Sequence, residues 1–259
     1  MKLKLLFQEN IITNKYFMNY QLEVIAFSIS SCIIAEQAGA DRIELCDNPS
    51  EGGTTPSFGM IKTARSKTSI ALFPIIRPRG GDFLYSNDEF EIMKNDINIC
   101  KTIGCDGVVI GLLQPDGSID VQRTVELVEL AYPMDVTFHR AFDRVNDPID
   151  SLEKIINCGC KRVLTSGLHP TAEQGIDLIE QLVTLAGNRI SIMPGSGIRA
   201  QNLEKIASKT KALEFHSSAR KILTSSMQYS NPSMKESLVS SILDEYEVFE
   251  MKKILNNLA

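Results

Sequence analysis

The sequence predicts an α/β protein in which eight parallel strands alternate with helices and close into one (β/α)8 barrel of the TIM type. Three observations carry that expectation. Eight short β-type runs alternate with longer amphipathic stretches along the 259 residues. Their mean spacing is about 27 residues, which suits a strand, a helix and two loops. No Pro/Gly-rich linker divides them, so a single domain is favoured over two.

The β-type runs are 22–27, 42–46, 71–77, 107–111, 134–139, 162–166, 190–194 and 212–216. Three helix-to-strand junctions share a pattern: Gly39-Ala40-Asp41-Arg42, Gly104-Cys105-Asp106-Gly107 and Gly159-Cys160-Lys161-Arg162. They precede the second, fourth and sixth runs, and each offers glycine where a helix ends in the left-handed region. The rival, an open doubly wound sheet, would need a Gly-rich phosphate turn after its first strand. Here Ser28-Ile29-Ser30-Ser31 follows instead. The last segment, Lys235 to Leu258, has helical apolar spacing through Leu238, Val239, Ile242, Leu243, Tyr246, Phe249, Ile254 and Leu255. It is expected to be a helix packed on or beside the barrel, with a subunit contact as the alternative. Residues 1–18 lack a clear period and are read as a poorly ordered extension before a barrel domain at 19–259, with Met18 a second candidate start.

Composition removes several function classes. Hydrophobic residues at 43% and charged residues at 23% are those of a globular chain, which excludes disorder as the main state. No apolar run reaches the roughly 18–20 residues of a membrane span. With 27 Lys plus Arg against 32 Asp plus Glu, the net charge of −5 argues against nucleic acid as a partner. The six cysteines form no CxxC pair and are too sparse for a disulfide scaffold. The N-terminus lacks the sustained apolar region and cleavage site of a secretory leader. A reduced cytoplasmic location is expected.

Sites in such barrels lie on the loops after the strands. Five arginines (77, 79, 140, 199 and 220) and two of the three histidines, His139 and His216, fall at strand ends in a chain that is acidic overall. Strand parity puts Glu44 with Cys46, Thr137 with His139, and Glu214 with His216 on common faces. These are expected to point inward near the top of the barrel, with Arg77 as a charge partner of Glu44; the alternative is a structural buried ion pair. Glu44, Arg77, His139 and His216 are therefore the candidate catalytic set, with His139 as general acid/base near neutral pH. Gly195, Gly197, Arg199 and Ser217, after the seventh and eighth strands, are the candidate anion site, or else glycines that only make the turn. Cys46 is the candidate metal ligand, with His139, His216 and Met193 able to join it at the mouth. Cys158 and Cys160 precede the sixth strand, on the opposite face, and are read as structural.

The strand-end strings Asp41-Arg42-Ile43-Glu44-Leu45-Cys46, Glu51-Gly52-Gly53-Thr54-Thr55-Pro56-Ser57, Arg77-Pro78-Arg79-Gly80-Gly81-Asp82-Phe83, Thr137-Phe138-His139-Arg140-Ala141-Phe142-Asp143, Arg162-Val163-Leu164-Thr165-Ser166-Gly167 and Glu214-Phe215-His216-Ser217-Ser218-Ala219 together resemble the CutC family. The resemblance runs from about residue 20 to the C-terminus. It implies a TIM-like barrel, a cytoplasmic homo-oligomer, and a role in copper homeostasis with Cu(I) binding. Members proposed to bind Cu(I) pair a cysteine at the end of the first strand with the one in the Glu-Leu-Cys string. This chain keeps the second as Cys46, but Ile25-Ala26 stand at the first position. The Glu/Arg/His/Ser rim supports an alternative, an enzyme acting on a small phosphorylated or carboxylated metabolite.

Overall fold

A computed structural model describes residues 19–235 and 237–259; the expectation for residues 1–18 falls outside them. Eight strands form the barrel: β1 (Gln21–Ala26), β2 (Arg42–Leu45), β3 (Ala71–Pro74), β4 (Gly107–Ile110), β5 (Asp135–Phe138), β6 (Arg162–Thr165), β7 (Ser191–Pro194) and β8 (Glu214–Ser217). They pair in parallel as β3-β2-β1-β8 and β4-β5-β6-β7. An Ile75–Val109 bridge joins β3 to β4. Across the β7–β8 seam, the Ser217 hydroxyl donates to the Ile198 carbonyl at 2.7 Å.

The helices are α1 (Ile29–Gln37), α2 (Phe58–Lys67), α3 (Asn87–Ile103), α4 (Val121–Ala131), α5 (Pro148–Asn157), α6 (Ile176–Ala186), α7 (Ala200–Thr210) and α8 (Glu245–Leu258). Their starts follow local chemistry. Ser28 and Ser57 cap α1 and α2, Ser86 and Glu89 form a capping box on α3, and Asp147 with Pro148 opens α5. The repeated junctions work as expected, with Gly39, Gly104 and Gly159 at φ of 86°, 84° and 88°. At two of the three junctions the aspartate two residues on adds a second device. Asp41 accepts the Leu22 amide at 2.7 Å and Asp106 accepts the Leu72 amide at 2.9 Å, so each carboxylate satisfies the start of a neighbouring strand.

Alternation along the strands divides the apolar residues in two. Leu22, Val24, Ile43, Leu45, Phe138 and Phe215 face the helices in the main core. Cys46, Phe73, Ile75 and Val109 form a smaller cluster inside the barrel. The C-terminal helix packs on the barrel through Val248, Met251 and Leu255, but it begins at Glu245 and not at Lys235. The preceding residues form an antiparallel arm after β8, made of β9 (Arg220–Leu223) and β10 (Ser240–Leu243). Leu238 and Val239 are exposed there. Their spacing fitted a helix, yet no core lies beneath that stretch to draw an apolar stripe inward.

Candidate functional site

The lower barrel interior is ionic. Arg42 on β2 donates through Nε to Glu23 on β1 at 2.6 Å and also bonds Glu214 on β8. Arg162 on β6 reaches the same Glu214 at 2.9 Å and Asp135 at 3.3 Å. Both guanidinium groups lie over the Phe73 ring, at 5.2 and 5.3 Å from its centroid. Gly107 leaves room for that ring, since a Cβ there would come within 2.1 Å of it.

Above this floor, Glu23, His216 and Glu44 form a chain of titratable groups. His216 Nδ1 is 2.7 Å from Glu23 Oε1, and Nε2 is 3.7 Å from Glu44 Oε2. All three are buried. Burial pushes Glu23 up, but the Arg42 charge and the His216 hydrogen bond outweigh it and hold the carboxyl at about 2. For Glu44 burial prevails over the His216 charge, and Glu23 adds repulsion, so its carboxyl is pushed up to about 7. Burial opposes a proton on His216, yet the Glu23 hydrogen bond and the Glu44 charge hold its value above the usual range. Glu44 and His216 thus bias each other's charge across 3.7 Å, beside the Glu23 anion.

His139 at the end of β5 is set differently. Its Nδ1 accepts the Ala141 amide at 3.0 Å, which places the imidazole proton on Nε2. The ring lies 4.9 Å from Phe83 between centroids and fills the space Gly111 leaves open, where a Cβ would sit 2.3 Å from it. Burial and then the Arg77 charge push His139 down to about 3. It is therefore neutral at neutral pH, which corrects the expectation of a near-neutral acid/base. Arg77 is not the partner of Glu44 either. It donates to the carbonyls of Glu51, Gly53 and Gly81 at 2.6–2.9 Å, pinning the loops after β2 and β3.

Glu44, Arg77, His139 and His216 line one cavity of about 280 Å³ at the C-terminal end of the strands. Arg140, Arg220, Ser196, Gly197 and Ser218 share its wall. Arg140 is paired with Asp143 at 2.7 Å. Among the described residues neither Arg77 nor Arg220 has a carboxylate partner, so the cavity carries excess positive charge. Of the candidate anion site, only Gly197 lines the cavity. Gly195 packs against Leu164 and His216, the Ser217 hydroxyl is spent on Ile198, and Arg199 begins α7 and donates to the Arg220 carbonyl. Ser196, Ser218 and Arg220, one position or a few away, take the places facing the cavity.

Glu23 and Arg42 stand outside the predicted set. The available signal was a carboxylate in the middle of an otherwise apolar strand, on the parity of Ile25. What was missing was the register that sets Glu23 beside both Arg42 and His216.

Cys46 does not reach the cavity wall. It is fully buried beside Phe73, Ile75 and Val109, with Gly53 over its sulfur. Burial and the Glu44 charge push its thiol well above the ordinary range. Met193 sulfur faces Arg42 at 3.7 Å. Among the described residues, the set of donors within mutual reach is Glu23, Glu44 and His216, whose ligand atoms all lie within 4.8 Å of one another. Two carboxylates and an imidazole are a hard to intermediate set, and they do not fit the soft preference of Cu(I).

Fold and site together define a (β/α)8 barrel whose partly open mouth is cationic and lined by titratable side chains. The family model for CutC matches residues 20–221. A CutC family protein of Chromobacterium violaceum is 48% identical over 229 residues, covering 88% of this chain and 92% of that protein. The human copper homeostasis protein cutC homolog is 47% identical over 215 residues, covering 83% and 79%. A crystal structure of CutC from Streptococcus agalactiae superposes with a TM-score of 0.73 at 33% identity, over 77% of this chain and 98% of that one. Thiamine phosphate pyrophosphorylase from Pyrococcus furiosus, at 16% identity and a TM-score of 0.58 over 93% and 98%, shares the barrel fold. The chain belongs to the CutC family.

Proposed function

We propose that this CutC-family chain binds a small phosphorylated or carboxylated metabolite in the barrel mouth and exchanges a proton with it. The observation that carries this reading is the convergence of Glu44, Arg77, His139 and His216 from four strand ends on one cavity. Arg77 and Arg220 supply the charge that attracts an anion, Ser218 supplies a hydroxyl, and Ser196 and Gly197 supply backbone amides, the Ser196 hydroxyl being donated to the Pro170 carbonyl. Ser196 and Gly197 both have φ of 75°, in the left-handed region, where the chain turns at the cavity wall. Glu44, with its carboxyl near 7, is suited to give and take a proton at neutral pH. The volume is slightly under the roughly 300–1,000 Å³ of drug-sized pockets, which favours a compact metabolite.

The test is a pool of small anionic metabolites in heavy water, followed by NMR for loss of carbon-bound protons. Exchange by the wild type that Glu44→Gln abolishes is the expected result; equal exchange by both refutes the role of Glu44.

The copper role carried by the relatives' names is a second reading, favoured by the Glu23, Glu44 and His216 cluster. Its oxygen and nitrogen donors suit Cu(II) better than Cu(I). Titration with each ion decides: Cu(I) affinity lost in Cys46→Ala supports the thiol, while Cu(II) affinity lost in Glu44→Gln supports the cluster. The six buried, unpaired thiols support a reducing, cytoplasmic setting. Self-association, implied by the family resemblance, is supported by exposed Ile222, Leu223 and Val239 on the β9–β10 arm, and light scattering tests it.

A further inference from the structure

We infer that the anion held in the mouth also carries a carbonyl group, that His139 Nε2–H binds the carbonyl oxygen, and that Glu44 removes a proton from the neighbouring carbon. This rests on the anion-binding reading and narrows its substrate class to small phosphorylated carbonyl compounds that can enolise.

His139 carries a donor with no partner among the described residues. His139 is 4% exposed and lines the cavity. Its Nδ1 is already occupied by the Ala141 amide, so the proton sits on Nε2, at the far edge of the ring. That Nε2 is buried and has no hydrogen-bond partner among the described residues. A buried N–H without an acceptor is destabilising, so a ligand oxygen that fills the position gains from pairing it. The ring is also locked. Gly111 admits it, Phe83 covers it, and the adjacent Arg77 charge with burial keeps it neutral. A neutral imidazole fixed as a donor cannot act as a base near neutral pH. It can stabilise negative charge as that charge develops on oxygen, without reorganising.

Glu44 supplies the complementary half from β2, across the same cavity. In the step, the Glu44 carboxylate takes a proton from the carbon next to the carbonyl. The C–H electron pair becomes the carbon–carbon double bond, and the carbonyl π pair moves to oxygen against His139 Nε2–H. His216, beside Glu44, responds to the change in its charge. Return of the proton to carbon restores the carbonyl compound, so the cycle needs no oxidant or co-reactant. A carboxylate base paired with a neutral histidine donor is a known arrangement for enolisation in other barrels; here it follows from the tautomer and burial of this chain's residues.

The experiment compares two probes, phosphoglycolohydroxamate, which mimics a phosphorylated enediolate, and ethyl phosphate, which has the anion without the carbonyl. Calorimetry on wild type is expected to show the hydroxamate binding at least 100-fold more tightly. In His139→Ala that preference is expected to fall about 10-fold or more, a loss of about 1.4 kcal/mol or more, with ethyl phosphate affinity little changed. In the wild type, the His139 Nε2–H resonance is expected to move downfield with the hydroxamate and not with ethyl phosphate, a readout that does not depend on the variant folding. If ethyl phosphate binds but the hydroxamate is no tighter, or the resonance does not move, the carbonyl inference is overturned and the anion reading stands. If neither probe binds, both are overturned.

Discussion

Glu23→Gln isolates the charge at the centre of the barrel. The replacement keeps the side-chain volume and one carboxamide oxygen, so packing is preserved while the anion is lost. Glu23 is fully buried and holds two partners, the Arg42 guanidinium through Nε at 2.6 Å and the His216 ring through Nδ1 at 2.7 Å. Arg42 keeps Glu214 as a second carboxylate, but His216 loses the bond that fixes its ring. Removing one partner of a buried ion pair costs about 3–5 kcal/mol. For a domain of this size each kcal/mol lowers Tm by about 2–4 °C, so a fall of roughly 6–20 °C is expected at neutral pH. The pH dependence is more discriminating. The Glu23 carboxyl is held at about 2 against an ordinary 4.5, so its stabilisation is present above pH 4.5 and is lost as the pH falls toward 2. Thermal unfolding followed by circular dichroism should therefore show wild type and variant converging across that acid range. In the variant, the His216 titration should also move down. A Tm within about 2 °C of wild type at neutral pH, with parallel acid profiles, would refute the central role given to Glu23.

Glu44 has the opposite linkage: its carboxyl is raised from 4.5 to about 7, so the stability tied to its protonated form is present below pH 4.5 and is lost as pH rises through 7. Glu44→Gln should flatten the decline in denaturation midpoint over that interval; an unchanged slope contradicts the assignment. Gly107→Ala would place a methyl 2.1 Å from the Phe73 ring, which Arg42 and Arg162 hold over its centroid, and should lower stability by about 1–3 kcal/mol in urea unfolding at constant slope. Arg220→Ala, at an exposed residue of the cavity rim, should weaken ethyl phosphate binding about 10-fold by calorimetry and leave Tm unchanged. Ellman's reagent should find no fast-reacting thiol in the native protein and all six after unfolding; rapid native modification would contradict the burial of Cys46 and the rest.

The barrel was legible in the sequence because its determinants are local and repeated. Gly39, Gly104 and Gly159 end helices in the left-handed region whatever packs around them, and the β-type runs recur at a regular interval. The exception, the arm before α8, shows the limit of that reasoning. Leu238 and Val239 keep helical spacing, yet a period specifies a helix only when a core lies on the matching side. The site was legible to the same depth: parity and strand-end position brought Glu44, Arg77, His139 and His216 to one cavity. Their individual chemistry was not, because it depends on neighbours from other strands. His139 is kept neutral by burial and Arg77, while His216 is charged more readily through Glu23 and Glu44, although both are histidines at strand ends. Residue type sets the range over which a group titrates; register and burial decide which side of neutrality it occupies. That distinction reassigns the mouth. On the proposed reading the fixed donor is His139 and the proton carrier is Glu44, while Glu23, buried between Arg42 and His216, sets the charge beside them.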